Sequence, residues 1–190
     1  ALIISAPDFV CSADAPIDLE INDAYTGEWT SIECPECLTA AGLFDAAYAE
    51  TSDVEIFYTS LGPCAAIAST TIEAIVSPDP NFDDFTGCEG QGEVQMAANE
   101  SGGIWETDCG ACSDESGLFD TQASGVGTWN VTYSIEGLCP VSSSGAFTVT
   151  PNISSNFTSP ASLCANAPLI DLTAEVPGGE WMASCVNCLS

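Results

Sequence analysis

Apolar and polar residues alternate in short runs along this chain, and Gly, Pro, Asn and Asp punctuate them. Pro16-Ile17-Asp18-Leu19-Glu20-Ile21 places Ile17, Leu19 and Ile21 on one side, the period-two pattern of a half-buried strand. Asn22 to Gly27 is turn-like, and Glu28-Trp29-Thr30-Ser31-Ile32 reads as the next strand. Val54 to Thr59 and a longer run from Ile67 to Val76 follow. The same order returns downstream: Val94, Met96 and Ala98, then Trp105, then Trp129 to Tyr133, then Gly145 to Thr150. No segment carries a helical period, so the pattern predicts an all-β chain.

The recurrence is a repeat with a period of about 76 residues. Trp29, Trp105 and Trp181 are spaced by 76 and 76 positions. Cys11, Cys88 and Cys164 keep this register, as do Cys34, Cys109 and Cys185; Cys37, Cys112 and Cys188; and Cys64 with Cys139. Gly27-Glu28-Trp29 returns as Gly103-Ile104-Trp105 and Gly179-Glu180-Trp181. Gly42-Leu43-Phe44-Asp45 returns as Gly117-Leu118-Phe119-Asp120, and Tyr58 as Tyr133. This register divides the chain into 1–5 as the end of a preceding repeat, 6–79 as repeat 1, 80–154 as repeat 2, and 155–190 as the first half of repeat 3. The half repeat is too small to bury a core alone, so a neighbouring segment is expected to complete it. Short strands in units of this size point to tandem immunoglobulin-like β-sandwiches. Trp29, Trp105 and Trp181, with Tyr58, Tyr133, Phe44 and Phe119, are the expected core residues. Stacking of the tryptophans on a sugar is the competing reading, and their identical placement in each repeat favours the core.

Composition narrows the chemistry. The chain of 190 residues has 28 Asp and Glu and no Lys, Arg or His, for a net charge of −28. Its hydrophobic fraction of 46% sets it apart from acidic disordered chains. Side-chain salt bridges cannot form, so apolar burial, backbone hydrogen bonds and covalent links must hold the fold. Nothing here neutralises a phosphate, which disfavours nucleic acid and anionic lipid as partners. The commonest catalytic bases and Schiff-base nucleophiles are missing too, so no catalytic residue and no enzymatic activity is expected. No apolar run is long enough for a membrane-spanning helix.

Eleven cysteines indicate disulfides and a compartment outside the reducing cytosol. Four cysteines per repeat allow three pairings. The preferred set is Cys34–Cys37, Cys109–Cys112 and Cys185–Cys188 as local clasps after the Trp strand, with Cys11–Cys64 and Cys88–Cys139 stapling each repeat end to end. A redox CxxC wants an electropositive setting, whereas Glu33, Glu36 and Asp108 surround these. A zinc site would need four converging thiolates, and each repeat has one CxxC. Asp79, Asp83 and Asp84 form a candidate calcium cluster at the first junction. The second junction, Thr150 to Ser159, has no acidic residue, which argues against a calcium lock at every joint. No other cofactor is expected. Asn99, Asn130, Asn152 and Asn156 head glycosylation sequons, a pattern frequent by chance in Ser/Thr-rich chains.

The order of these signals resembles the tandem immunoglobulin-like repeats of giant surface adhesins of Bacteroidota, including the gliding-motility adhesins exported by the type IX system. The resemblance runs through Trp29, Phe44, Val54, Tyr58 and Cys64, and through Phe119, Val131-Thr132-Tyr133 and Cys139. The added CxxC and the absence of basic residues depart from that pattern. The resemblance implies an extracellular, cell-surface array whose partners are neighbouring repeats of the same chain or filament. Its expected role is that of a structural stalk, with direct binding of surface polysaccharide or protein as the alternative.

Overall fold

The computed structural model describes residues 1–22, 26–49, 52–62, 64–159, 162, 164 and 166–184. Repeat 1 contains β1 (Ile4–Ser5), β2 (Phe9–Cys11), β3 (Ile17–Asp18), β4 (Glu20–Ile21), β5 (Gly27–Ser31), β6 (Leu43–Phe44), β7 (Asp53–Ser60) and β8 (Ile67–Ile75). Repeat 2 contains β9 (Phe85–Cys88), β10 (Glu93–Gln95), β11 (Ile104–Thr107), β12 (Leu118–Asp120), β13 (Gly127–Ile135) and β14 (Val141–Thr150). Beyond it lie β15 (Phe157–Thr158) and β16 (Thr173–Ala174).

The two repeats share one plan. A four-stranded sheet runs β2-β8-β7-β5 in repeat 1 and β9-β14-β13-β11 in repeat 2. The opposing layer includes the pair β3–β6, or β10–β12. Alternation does the work expected of it: β7 buries Val54, Ile56, Tyr58 and Ser60 and leaves the residues between them at least partly exposed. Phe44 and Phe119 are fully buried between the layers. Each repeat closes its own core. Val10, Leu19, Phe44, Val54, Ile56 and Ile72 form one cluster, and Met96, Trp105, Phe119, Val131, Phe147 and Val149 another. The chain is therefore all-β, built of tandem immunoglobulin-like sandwiches and joined by disulfides.

Several expectations need correction. The run from Pro16 to Ile21 is not one strand: the Leu19 amide bonds the Gly42 carbonyl, and the chain switches there from pairing with β6 to pairing with β1. β5 stops at Ser31, leaving Ile32 outside the sheet and exposed. Residues 1–5 contact repeat 1, where Ile4 pairs with Ile21 and Ser5 with Glu20. Short helical turns also appear: 3-10 turns at Pro35–Cys37 and Ala46–Tyr48, and α1 (Thr121–Ser124). The last two begin after Asp45 and Asp120, whose carboxylates accept the Ala47 amide and the Gln122 and Ala123 amides.

Candidate functional site: the bridged joint between repeats

The recurring words of the sequence are packing contacts. Trp29 lies 4.8 Å from Tyr58, and Trp105 lies 4.5 Å from Tyr133, measured between ring centroids. Each ring pair is held between two glycines. A Cβ on Gly27 or Gly103 would run into the paired tyrosine ring. A Cβ on Gly42 would lie 2.7 Å from the Trp29 indole, and one on Gly117 2.6 Å from that of Trp105. Gly42 and Gly117 also take positive φ, 94° and 87°. Trp105 is buried and Trp29 half-buried, so both serve the core. Trp181 contacts Phe157 at 5.3 Å but is 42% exposed, beside an open apolar trough of about 920 Å³ lined in part by Phe157, Leu172, Val176 and Met182. In repeat 2 the equivalent tryptophan is covered by Tyr133 on β13; residues 155–184 lack such a cover among the described residues.

Cys34 bonds Cys37, and Cys109 bonds Cys112. These clasps fold back on the Phe-Asp strand: the Asp45 amide bonds the Cys37 carbonyl at 2.8 Å, and the Asp120 amide the Cys112 carbonyl at 2.7 Å. Cys37 and Cys112 are buried. Their position suits holding a loop against the core. Cys185 and Cys188 lie outside the described residues.

The long-range pairing overturns the expectation of staples within repeats. Cys11 bonds Cys139, not Cys64, across 128 positions and from one repeat to the next, with Cα atoms 5.6 Å apart. Cys64 and Cys88 are free and exposed. The reason is the direction of the first strand. β2 runs parallel to β8 and places Cys11 beside Ile75, at the strand's far end. Cys64 sits before the other end of β8, whose nine residues span about 30 Å at roughly 3.3 Å each. A disulfide tolerates about 7 Å between Cα atoms, so Cys11 cannot reach Cys64. Repeat 2 repeats the geometry, with Cys88 beside Thr150 and Cys139 just before Val141. The β13–β14 turn instead brings Cys139 to the exit end of repeat 1. Sequence periodicity assigned both cysteines to their classes but could not show which end of the sheet each occupies.

Hydrogen bonds fix the joint from both sides. Ser12 and Ser77 face each other: the Ser77 amide donates to Ser12 Oγ at 2.9 Å, and the Ala13 amide to Ser77 Oγ at 3.1 Å. After Pro78, the Asp79 amide donates to Glu100 at 2.9 Å, and the Asp79 carboxylate accepts from the Asn81 amide and the Asn99 side chain. These donors hold the Asp79 carboxyl below the usual aspartate range, the Asn99 bond most of all. The Asn99 amide bonds the Asn81 carbonyl, and Ser143 Oγ donates to the Asn81 side chain. The Asp84 carboxylate accepts the Ala146 amide at 2.8 Å. Asp79 is thus committed to Asn81 and Asn99 beside the joint, and Asp84 to the β14 backbone of repeat 2. Among the described residues no three Asp, Glu, His or Cys side chains converge as metal ligands, so Asp79, Asp83 and Asp84 do not form the cluster their spacing suggested. Of the sequon asparagines, Asn99 is bonded to Asp79 and Asn130 to Asp108.

No protein-family profile matches the sequence, and no curated protein matches it. Similar solved structures include mouse cadherin-23 EC22-24, with 9% identity over 79% of this chain and 64% of that one and a TM-score of 0.36. The insect immune protein hemolin shows 11% identity over 79% and 46%, with a TM-score of 0.42. Drosophila N-cadherin EC1-4 shows 11% identity over 77% and 47%, with a TM-score of 0.38. This chain spans less than two thirds of the length of each. No helix among the described residues is long and apolar enough to cross a membrane.

Proposed function

We propose that this chain is a section of an extracellular stalk, in which tandem sandwiches act as covalently coupled spacers of a surface adhesin. The observation that carries this reading is the Cys11–Cys139 bridge, which ties two independently cored repeats across their joint. A binding or catalytic module gains little from fixing its neighbour; a load-bearing spacer gains a joint that cannot hinge freely. Pro78 and Pro80 stiffen the same linker, and the hydrogen bonds of Ser12, Ser77, Asp79 and Asn81 hold it to both sides. The disulfides favour an oxidising, extracellular location. The order of Trp, Phe-Asp, Tyr and Cys signals favours a giant adhesin of the Bacteroidota type, with neighbouring repeats as its principal partners. The absence of His, Lys and Arg supports a non-catalytic role.

Small-angle scattering and electron microscopy of the isolated chain test the spacer role. The expected result is a narrow distribution of angles between repeats 1 and 2, broadened in Cys139→Ser. A joint as variable with the bridge as without it would refute the role. Retention of the chain on a polysaccharide column at physiological salt would favour the adhesive alternative.

A further inference from the structure

The two free cysteines of the complete repeats are the positional twins of the two bonded across the joint. Cys88 sits on β9 beside the last residue of β14, as Cys11 sits on β2 beside the last residue of β8. Cys64 lies in the β7–β8 turn, as Cys139 lies in the β13–β14 turn. One member of each class, Cys11 and Cys139, meets its opposite at the joint, where both are buried. The other member of each class is exposed and unpaired, at the end of its repeat remote from that joint.

We propose that Cys64 and Cys88 are open rungs of a disulfide ladder. In it, the first cysteine of every repeat bonds the fourth cysteine of the repeat that follows. Cys88 then takes the fourth cysteine of the repeat begun by β15, and Cys64 takes the first cysteine of a repeat ahead of repeat 1. Cys164, in the first-cysteine position and also an exposed thiol, obeys the same rule one repeat later. Cys64 and Cys88 cannot satisfy one another, because β8 separates the first from the joint on one side and β14 separates the second on the other. Closing a rung removes one hydrogen from each thiol and forms one S–S bond. The two electrons and two protons pass to a disulfide-donating thiol oxidant, whose own disulfide becomes a dithiol.

The register gives the ladder a property that staples within repeats lack. The Cys11–Cys139 bridge spans residues 11 to 139, and the next bridge starts inside that span, at Cys88. Successive loops therefore overlap, and each peptide bond between the outermost rungs lies within at least one. A single backbone cut leaves the stalk continuous. Under tension, the shortest covalent path between successive bridges is the 51 residues from Cys88 to Cys139, rather than the 76-residue period.

The proposal extends the stalk reading and is tested by mapping thiols in the intact assembled protein. Free thiols are alkylated before cleavage at acidic and aromatic residues, and cross-linked peptides are identified without reduction. The expected result is that Cys88 and Cys64 escape alkylation until reductant is added. Cys88 should be recovered linked to a fourth-position cysteine, and Cys64 to a first-position one. Alkylation of both before reduction, a Cys64–Cys88 link, or links between cysteines of one class would each overturn the ladder. Micrographs of the same sample separate the two readings: a string of repeats whose Cys64 and Cys88 are alkylated sinks the ladder and leaves the stalk standing.

Discussion

The hydroxyl of Tyr133 accepts a hydrogen bond from the Gly103 amide at 2.7 Å and donates one to the Glu100 carbonyl at 3.0 Å. With Tyr133 only 2% exposed, this one oxygen ties the start of the Trp strand to β13 from inside the core. Removing it leaves the Gly103 amide without this partner, for which burial typically costs about 1–3 kcal/mol. Tyr133→Phe should therefore lower the unfolding free energy by that amount, read from urea midpoints with an unchanged slope. A loss below about 0.5 kcal/mol would show that water replaces the hydroxyl without penalty.

Gly117 and Gly110 both take positive φ, 87° and 75°, but only Gly117 lies against a side chain. Placing Ala in the left-handed region costs roughly 1–2 kcal/mol at either position. At Gly117 the new methyl also meets the Trp105 indole, and overpacking of this kind adds about 1–3 kcal/mol. Gly117→Ala should destabilise clearly more than Gly110→Ala in parallel thermal melts. Equal losses would mean that the indole moves aside freely.

The all-β class and the buried faces of the strands were legible because they rest on local signals. Rare residues recur every 76 positions, and alternation marks buried faces such as Val54, Ile56 and Tyr58. The partner of Cys11 was not legible. Whether β2 runs parallel or antiparallel to β8 decides which end Cys11 reaches, and a three-residue strand carries no signal of its direction. The same holds for Asp79 and Asp84, whose spacing suits a cation equally well whether their oxygens are free or already bonded to backbone amides. The glycines of Gly-x-Trp and Gly-x-Phe-Asp were visible as recurrences, and their cause, contact with the ring pair, needed three dimensions.

The bridge itself can be tested by cutting the chain. With no Lys or Arg, the 190 residues give trypsin no site, so a glutamate-specific protease is used at single-hit dose. A chain cut once between Cys11 and Cys139 should keep its full mass on a non-reducing gel and split only after reduction. Cys139→Ser should split without reductant. A wild-type chain that separates unreduced after a cut lying between Cys11 and Cys139 and outside the CxxC loops would show that Cys11 and Cys139 are not joined.

Acid offers a test of the joint's hydrogen bonds. Asp79 is held below the ordinary aspartate range by Asn99 first and the Asn81 amide second, and Asp114 by the Ser116 hydroxyl first. A carboxyl whose pKa is lower folded than unfolded stabilises the fold fully above its unfolded value, about pH 4. That contribution disappears as pH falls through the lower, folded value. Acid also neutralises part of the −28 charge and relieves repulsion in any variant. The informative quantity is thus the difference between wild type and Asp79→Asn, followed by denaturant midpoint from pH 7 to pH 2. The variant should be the less stable at pH 7, and the gap should close below about pH 4 as wild-type Asp79 takes up its proton. A gap that persists unchanged into strong acid would mean that Asp79 supports the joint by its shape alone, and that its charge contributes nothing there.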